Sequence, residues 1–275
     1  LNPHAGENRL FGDEDADVIT RRMGAERHDI ALVLGSGWAS AADLVGDTIA
    51  EIPNTDVPGF HPAAVPGHHG TIRSVRVSGH DARVLVFGTR THFYEGRGVR
   101  AVVHPVRVAA ACGASTIVLT NGCGGLRPEW RPGTPVLIRD HINLTAHSPL
   151  EGPTFVDLTD LYTPRLRELA RSVDPGLDEG VYVQFRGPHY ETPAEVAMAG
   201  IIGGDLVGMS TTLEAIAARE AGMDVLGISL VTNAAAGISP DPLSHEEVVA
   251  AGRAAADRCG RLVADVVRAI VEDAA

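Results

Sequence analysis

The chain has 275 residues, 44% hydrophobic and 21% charged, with 35 acidic against 23 basic residues and a formal net charge of −12. That composition belongs to a globular chain with a sizeable core and excludes disorder, while the acidic balance excludes non-specific nucleic-acid binding as the main task. Every basic residue is Arg and none is Lys, which excludes a lysine Schiff base and a Walker-type phosphate loop.

Residues 1–28 read as an N-terminal extension and helix without the cationic start or apolar centre of a secretion signal. No apolar run reaches the roughly 18 residues of a membrane span, so a cytoplasmic protein is expected. DIALVLG (29–35) reads as a buried strand, followed by Gly35-Ser36-Gly37 and a short helix across WASAADLV. Proline and glycine gather at 52–70, which reads as a loop. TIRSVRVSG (71–79) and ARVLVFG (82–88) form a predicted hairpin, and TRTHFY (89–94) continues it with Arg90, His92 and Tyr94 on every second residue. On an extended backbone those three side chains would share one side.

VRAVVHPVRVAAACG (99–113) has helical periodicity despite Pro105, and STIVLTNGCGG (115–125) reads as a strand breaking into a Gly-rich turn. Further strands are predicted at TPVLIRDHINL, VYVQFRGP, DLVGM and DLVGM's successor DVLGISLVTN. Helices are predicted at PRLRELARSV, TPAEVAMAGIIG, TLEAIAAREAG (with capping-box spacing between Thr211 and Glu214) and the long C-terminal HEEVV…VED. Alternation of strand and helix from end to end predicts one α/β domain over 1–275, with a mixed, mostly parallel central sheet flanked by helices.

In open α/β sheets ligands sit beyond the carboxyl ends of the strands. The residues there are small, polar or glycine-rich: GSG, TRTHFY, TNGCGG, RGPHYET, GMST and TN. Ser36, Ser210, Arg90 and His92 suit an oxyanion, although the same GSG also suits a tight turn and Ser210 a helix cap. Glu191 precedes a Pro-started helix, where a carboxylate is favourable in any case. Asn121 and Asn233 end apolar strands and suit either a ligand or a turn. Cys112, Cys123 and Cys259 form no CxxC pair and the 12 His residues no HExxH pair, so no metal site is expected.

Taken together, GSG (35–37), VPGHHG (65–70), RTHFYEG (90–96), TNGCGGL (120–126), DHINL (140–144), GPHYET (187–192), VGMST (207–211), SLVTN (229–233) and SHEEV (244–248) carry a resemblance. The chain resembles the trimeric, 6-oxopurine-specific purine nucleoside phosphorylases from about Ile30 to its C-terminal helix. The resemblance implies reversible phosphorolysis of inosine, guanosine and their 2′-deoxy forms, in purine salvage, by a homotrimer. It implies no cofactor, inorganic phosphate being a co-substrate, and no nucleic-acid or membrane partner. Residue by residue, it implies a phosphate site of Ser36, His68, Arg90, His92, Asn121, Gly122 and Ser210. Ribose contacts would come from Tyr94, Met209 and His245, and base contacts from Tyr190, Glu191 and Asn233, with His92, Glu191 and Asn233 carrying the catalysis. Phe155 is the candidate for the aromatic that a neighbouring subunit lends to the sugar site. Two alternatives, a methylthioadenosine or methylthioinosine phosphorylase and a noncatalytic nucleoside-binding protein, fit less well. Asn233 suits a 6-oxo base, His245 suits a 5′-hydroxyl, and a binding protein needs no phosphate site. A nucleoside hydrolase would need a calcium-holding aspartate cluster, and no such run is present.

Overall fold

The computed structural model of the chain describes residues 13–62, 70–239 and 244–274. Its longest apolar runs become strands buried on both faces. β1 (Ile30–Val33), β4 (Arg83–Phe87), β5 (Thr116–Gly125) and β9 (Asp224–Ala234) alternate their side chains between two cores. Ala31, Val33, Leu85, Ile117 and Leu119 enter one core. It is closed by Ile19 of α1 (Asp13–Met23), Val103 and Val106 of α3 (Val99–Ala111) and Ile216 of α6 (Thr212–Glu220). Ile30, Leu32, Val84, Val118 and Leu226 enter the other, closed by α2 (Ala41–Val45), Leu166 of α4 (Pro164–Val173) and Val263 and Val267 of α7 (His245–Asp273). Each such Val, Leu or Ile side chain contributes roughly 1.5–3 kcal/mol over its exposed state. The helices are held to the sheet by that burial.

The remaining strands are β2 (Gly46–Pro53), β3 (Thr71–Val77), β6 (Pro135–Asn143), β7 (Asp178–Gln184) and β8 (Leu206–Gly208). The sheet runs β2-β3-β4-β1-β5-β8-β7-β6-β9, and β9 returns to pair with β5. The strands β5, β8, β7, β6 and β9 thereby close a barrel, with β1 to β4 as an open wing. Of the nine described pairings, those of β1 with β4 and β5, β5 with β9, β6 with β7 and β7 with β8 are parallel, and the other four are antiparallel. The expected α/β class with a mixed sheet flanked by helices is therefore what forms; the barrel closure was not expected.

Three local expectations are corrected. TNGCGG is no turn: β5 continues through Gly125, bonded to β9 on one side and, at Gly124 and Gly125, to β8 on the other. Glycine suits that stretch because close neighbours leave little room for side chains. The predicted 52–70 loop begins later, since β2 runs to Pro53 and a 3₁₀ turn covers Asn54–Asp56; residues 63–69 lie outside the described residues. The extended run expected through Tyr94 instead turns at a 3₁₀ helix over Phe93–Glu95. No described helix is long and apolar enough to cross a membrane.

Candidate active site

A cavity opens where β1, β4, β7, β8 and β9 end, beside the C-terminal half of β5. Ser36, Arg90, His92, Tyr94, Asn121, Gly122, Tyr190, Glu191, Met209, Ser210, Asn233 and His245 all line it. These are the predicted site residues except His68, which lies outside the described residues. Phe155 is 94% exposed and does not line the cavity. Among the described residues no group of three His, Cys, Asp or Glu is arranged to hold a metal.

One wall is built around a buried ion pair. Arg90 Nε faces both oxygens of Glu214, at 3.2 and 3.1 Å, and Arg90 Nη1 donates to the Thr120 carbonyl at 2.5 Å. Both side chains are 2% exposed, so neither charge would be tolerated without the other; breaking such a pair typically costs about 3–5 kcal/mol. Arg90 Nη2 is buried and has no hydrogen-bond partner among the described residues, and neither has Asn121 Oδ1. A donor and an acceptor thus remain open in groups that line the cavity. Glu214 Oε2 also accepts the Thr211 N–H at 2.9 Å, at the start of α6. Thr211 sits at φ +81°, a conformation a threonine holds at a cost of about 1–3 kcal/mol. Its hydroxyl accepts from Asn121 Nδ2 at 2.9 Å and lies 3.1 Å from Ser210 Oγ.

Across the cavity mouth, the Tyr94 ring stacks on His92, with centroids 4.8 Å apart and planes 12° from parallel. Arg90, His92 and Tyr94 meet in one cavity although the backbone turns between the last two. Glu95 fixes His92: its Oε1 accepts the His92 N–H at 2.7 Å and lies 3.4 Å from the ring Nδ1. Burial alone would raise the Glu95 carboxyl, but its contacts with His92 and the charge of Arg97 outweigh that and hold it below the ordinary range. The Tyr94 phenol is pushed up to about 12, first by burial and then by the Glu95 charge, so it stays a neutral hydroxyl.

The far wall comes from the segment before α5 (Pro193–Ile201) and from the end of β9. Glu191 is 8% exposed, and its Oε1 is buried with no partner among the described residues. Burial, followed by the charge of Glu195, raises its pKa above the ordinary carboxyl value. Asn233 is oriented by its neighbours: Nδ2 donates to the Ala234 carbonyl at 2.9 Å, and Oδ1 lies 2.9 Å from Thr232 Oγ1, whose single proton is shared with the Cys123 carbonyl at 3.1 Å. Gly187 has φ +67°, and a Cβ there would come within 2.4 Å of Met209 Sδ and 3.1 Å of Tyr94 Cδ1. A side chain at 187 would fill the space between these two cavity residues. His245 opens α7 beside the Ser244 cap, exposed at the cavity rim.

Several participants escape sequence reasoning. Glu214 carries a capping-box spacing that says nothing of Arg90, and Thr232 sits beside Asn233 without any distinguishing pattern. Glu95 lies within RTHFYEG, yet spacing alone does not reveal that it orients His92.

The family model described as Phosphorylase superfamily matches residues 29–268. A purine nucleoside phosphorylase of Cellulomonas sp is 67% identical over 271 residues, which cover 98% of this chain and 96% of that one. A purine nucleoside phosphorylase of Mycobacterium tuberculosis is 58% identical over 92% of this chain and 93% of its own. Among solved structures, the Schistosoma mansoni purine nucleoside phosphorylase in complex with inosine superposes with a TM-score of 0.84 at 33% identity, covering 94% of this chain and 95% of that one.

Proposed function

Since the chain belongs to the phosphorylase superfamily and, within it, to the purine nucleoside phosphorylases, we propose that it cleaves inosine, guanosine and their 2′-deoxy forms by reversible phosphorolysis, in purine salvage. One observation carries the reading. A single cavity joins an open arginine donor, beside Ser36 and Ser210, to a carboxyl and an amide from Glu191 and Asn233. An anion site next to a base-recognition site is what phosphorolysis needs.

In this reading Ser36, Arg90, His92, Ser210, Asn121 and the Gly122 backbone hold hydrogen phosphate, with His68 joining them. Tyr94, Met209 and His245 hold the sugar, and Tyr190, Glu191 and Asn233 hold the purine. The C1′–N9 bond lengthens and its electron pair moves into the base, leaving positive charge on the sugar ring. The phosphate dianion stabilises that charge and bonds to C1′, so the protein supplies no nucleophile. Glu191 accepts the N1 hydrogen, while Asn233 donates to O6 and accepts from N7–H, which helps the base leave. Hydrogen phosphate loses one proton and the departing base gains one. Donors aimed at developing charge commonly contribute roughly 3–4 kcal/mol each.

The reading extends to the assembly. The chain is one catalytic domain in which α1 (Asp13–Met23) precedes the sheet, residues 1–12 of the expected extension lying outside the described residues, and it works as a cytoplasmic homotrimer without a cofactor, metal, nucleic-acid or membrane partner. Phe155, 94% exposed, is the aromatic that a neighbouring copy would receive at its sugar site.

The test is base release from inosine, guanosine and adenosine, each with and without phosphate. Phosphate-dependent release from the first two alone is expected. Release without phosphate would make the protein a hydrolase, and no release would leave a binding protein.

A further inference from the structure

Glu214 is absent from the cavity lining, yet three residues of that lining are tied to it. Arg90 bonds it directly through Nε, and with Nη1 on the Thr120 carbonyl Nη2 is the one guanidinium nitrogen without a partner among the described residues. Ser210 precedes Thr211, whose N–H is held by Glu214 Oε2 at 2.9 Å and whose φ of +81° needs holding. Asn121 reaches Glu214 through the Thr211 hydroxyl, which takes its Nδ2 and leaves its Oδ1 open. The carboxylate is 2% exposed and meets no solvent that could replace any of these contacts.

We propose that Glu214 is the positioning residue of the anion site. One buried carboxylate fixes which guanidinium nitrogen faces the cavity and holds the Ser210–Thr211 turn, so phosphate affinity depends on a residue that never touches phosphate. The proposal rests on the phosphate-site reading above and adds to it a residue outside the cavity. A helix cap alone would not need this geometry, because the Thr211 N–H uses only Oε2, whereas Arg90 Nε faces both oxygens.

The same geometry predicts that Gln does not substitute for Glu here. With both oxygens 3.1–3.2 Å from Arg90 Nε, an amide turned either way sets an NH2 group against that N–H. The guanidinium must then turn away from its present direction.

The experiment measures KM for inorganic phosphate and for inosine in wild type, Glu214→Gln, Arg90→Met and the double variant. Glu214→Gln is expected to raise the phosphate KM by at least about tenfold and leave the inosine KM within about threefold. The double variant is expected to lose less than the product of the two single losses, because Glu214 acts in part through Arg90 and in part through the Ser210–Thr211 turn. Inorganic phosphate should raise the melting temperature of wild type but not of Glu214→Gln, while hypoxanthine should raise both. Should Glu214→Gln not fold, Glu214→Asp keeps the charge on a shorter stem and is expected to raise the phosphate KM selectively in the same way. An unchanged or lowered phosphate KM in the folded variant overturns the proposal. So does a rise of both KM values together, which is the mark of a structural cap. Wild type without phosphate-dependent cleavage would overturn the functional reading instead.

Discussion

Thr232 Oγ1 lies 2.9 Å from Asn233 Oδ1, while Asn233 Nδ2 donates to the Ala234 carbonyl at the same distance. Turned the other way, the amide oxygen would face that carbonyl, so the orientation is set by the chain itself. One N–H and one lone pair of the amide remain for a ligand. Those match the O6 and N7–H of a 6-oxopurine during base departure.

Asn233→Asp removes the free N–H and leaves two acceptors. Inosine cleavage should fall by about 10²–10³ in kcat/KM, the usual loss for one such donor. Adenosine, whose 6-amino group donates, should lose less, so the adenosine-to-inosine ratio rises. The ratio of kcat/KM for the two nucleosides checks this. An unchanged ratio would remove Asn233 from base recognition.

The Glu191 carboxyl is raised above its ordinary 4.5, by burial first and by the Glu195 charge second. To accept the N1 hydrogen it must be ionised, so lowering the pH disables it sooner than it would an exposed carboxyl. At saturating phosphate, kcat/KM for inosine should show an acid limb centred above 4.5. Glu191→Gln should reduce kcat/KM by about 10²-fold and abolish that limb. A limb that survives the substitution belongs to another group.

Much of this arrangement is legible in sequence, for a physical reason. Strands such as 30–34 and 225–231 are buried on both faces and therefore appear as apolar runs, the second broken only by Gly227 and Ser229. β2 escapes because it is an outer strand that buries little besides Ile52. Closure of the barrel escapes because it depends on β5 bonding β9 along its length and β8 at its glycine end, from positions far along the chain. At the site, Arg90 and Glu191 are legible because polar groups stand out where apolar strands stop. Glu214 is not, since a carboxylate three residues after Thr211 reads as a helix cap whether or not an arginine lies beside it.

Gly35 tests how tightly that site is packed. A Cβ there would come within 2.6 Å of the Thr120 carbonyl oxygen, 2.7 Å of Asn121 Cα and 2.9 Å of Arg90 Nη1. Two of those atoms are backbone of β5 and cannot step aside without moving the strand. Gly35→Ala should therefore lose about 1–3 kcal/mol of stability and raise the phosphate KM more than the inosine KM. Denaturant melts and paired KM measurements check it. A variant indistinguishable from wild type would mean that the strand ends yield easily.

His28 gives the fold an acid limit away from the site. Its ring is fully buried, with Nε2 2.9 Å from Ser74 Oγ and Nδ1 unpartnered among the described residues. Burial, with the charge of Arg83 second, lowers its pKa from 6.5 to about 4. The unfolded chain therefore takes up this proton first as the pH falls. The stability contribution is whole above 6.5 and is lost progressively towards about 4, by about 3 kcal/mol in all for this one group. His141, also lowered to about 4 by burial, adds a loss of the same sign. Unfolding free energies across that range should fall with pH, and His28→Gln should flatten the slope while leaving the contribution of His141. An equally steep slope in the variant would mean that His28 is already protonated in the folded protein.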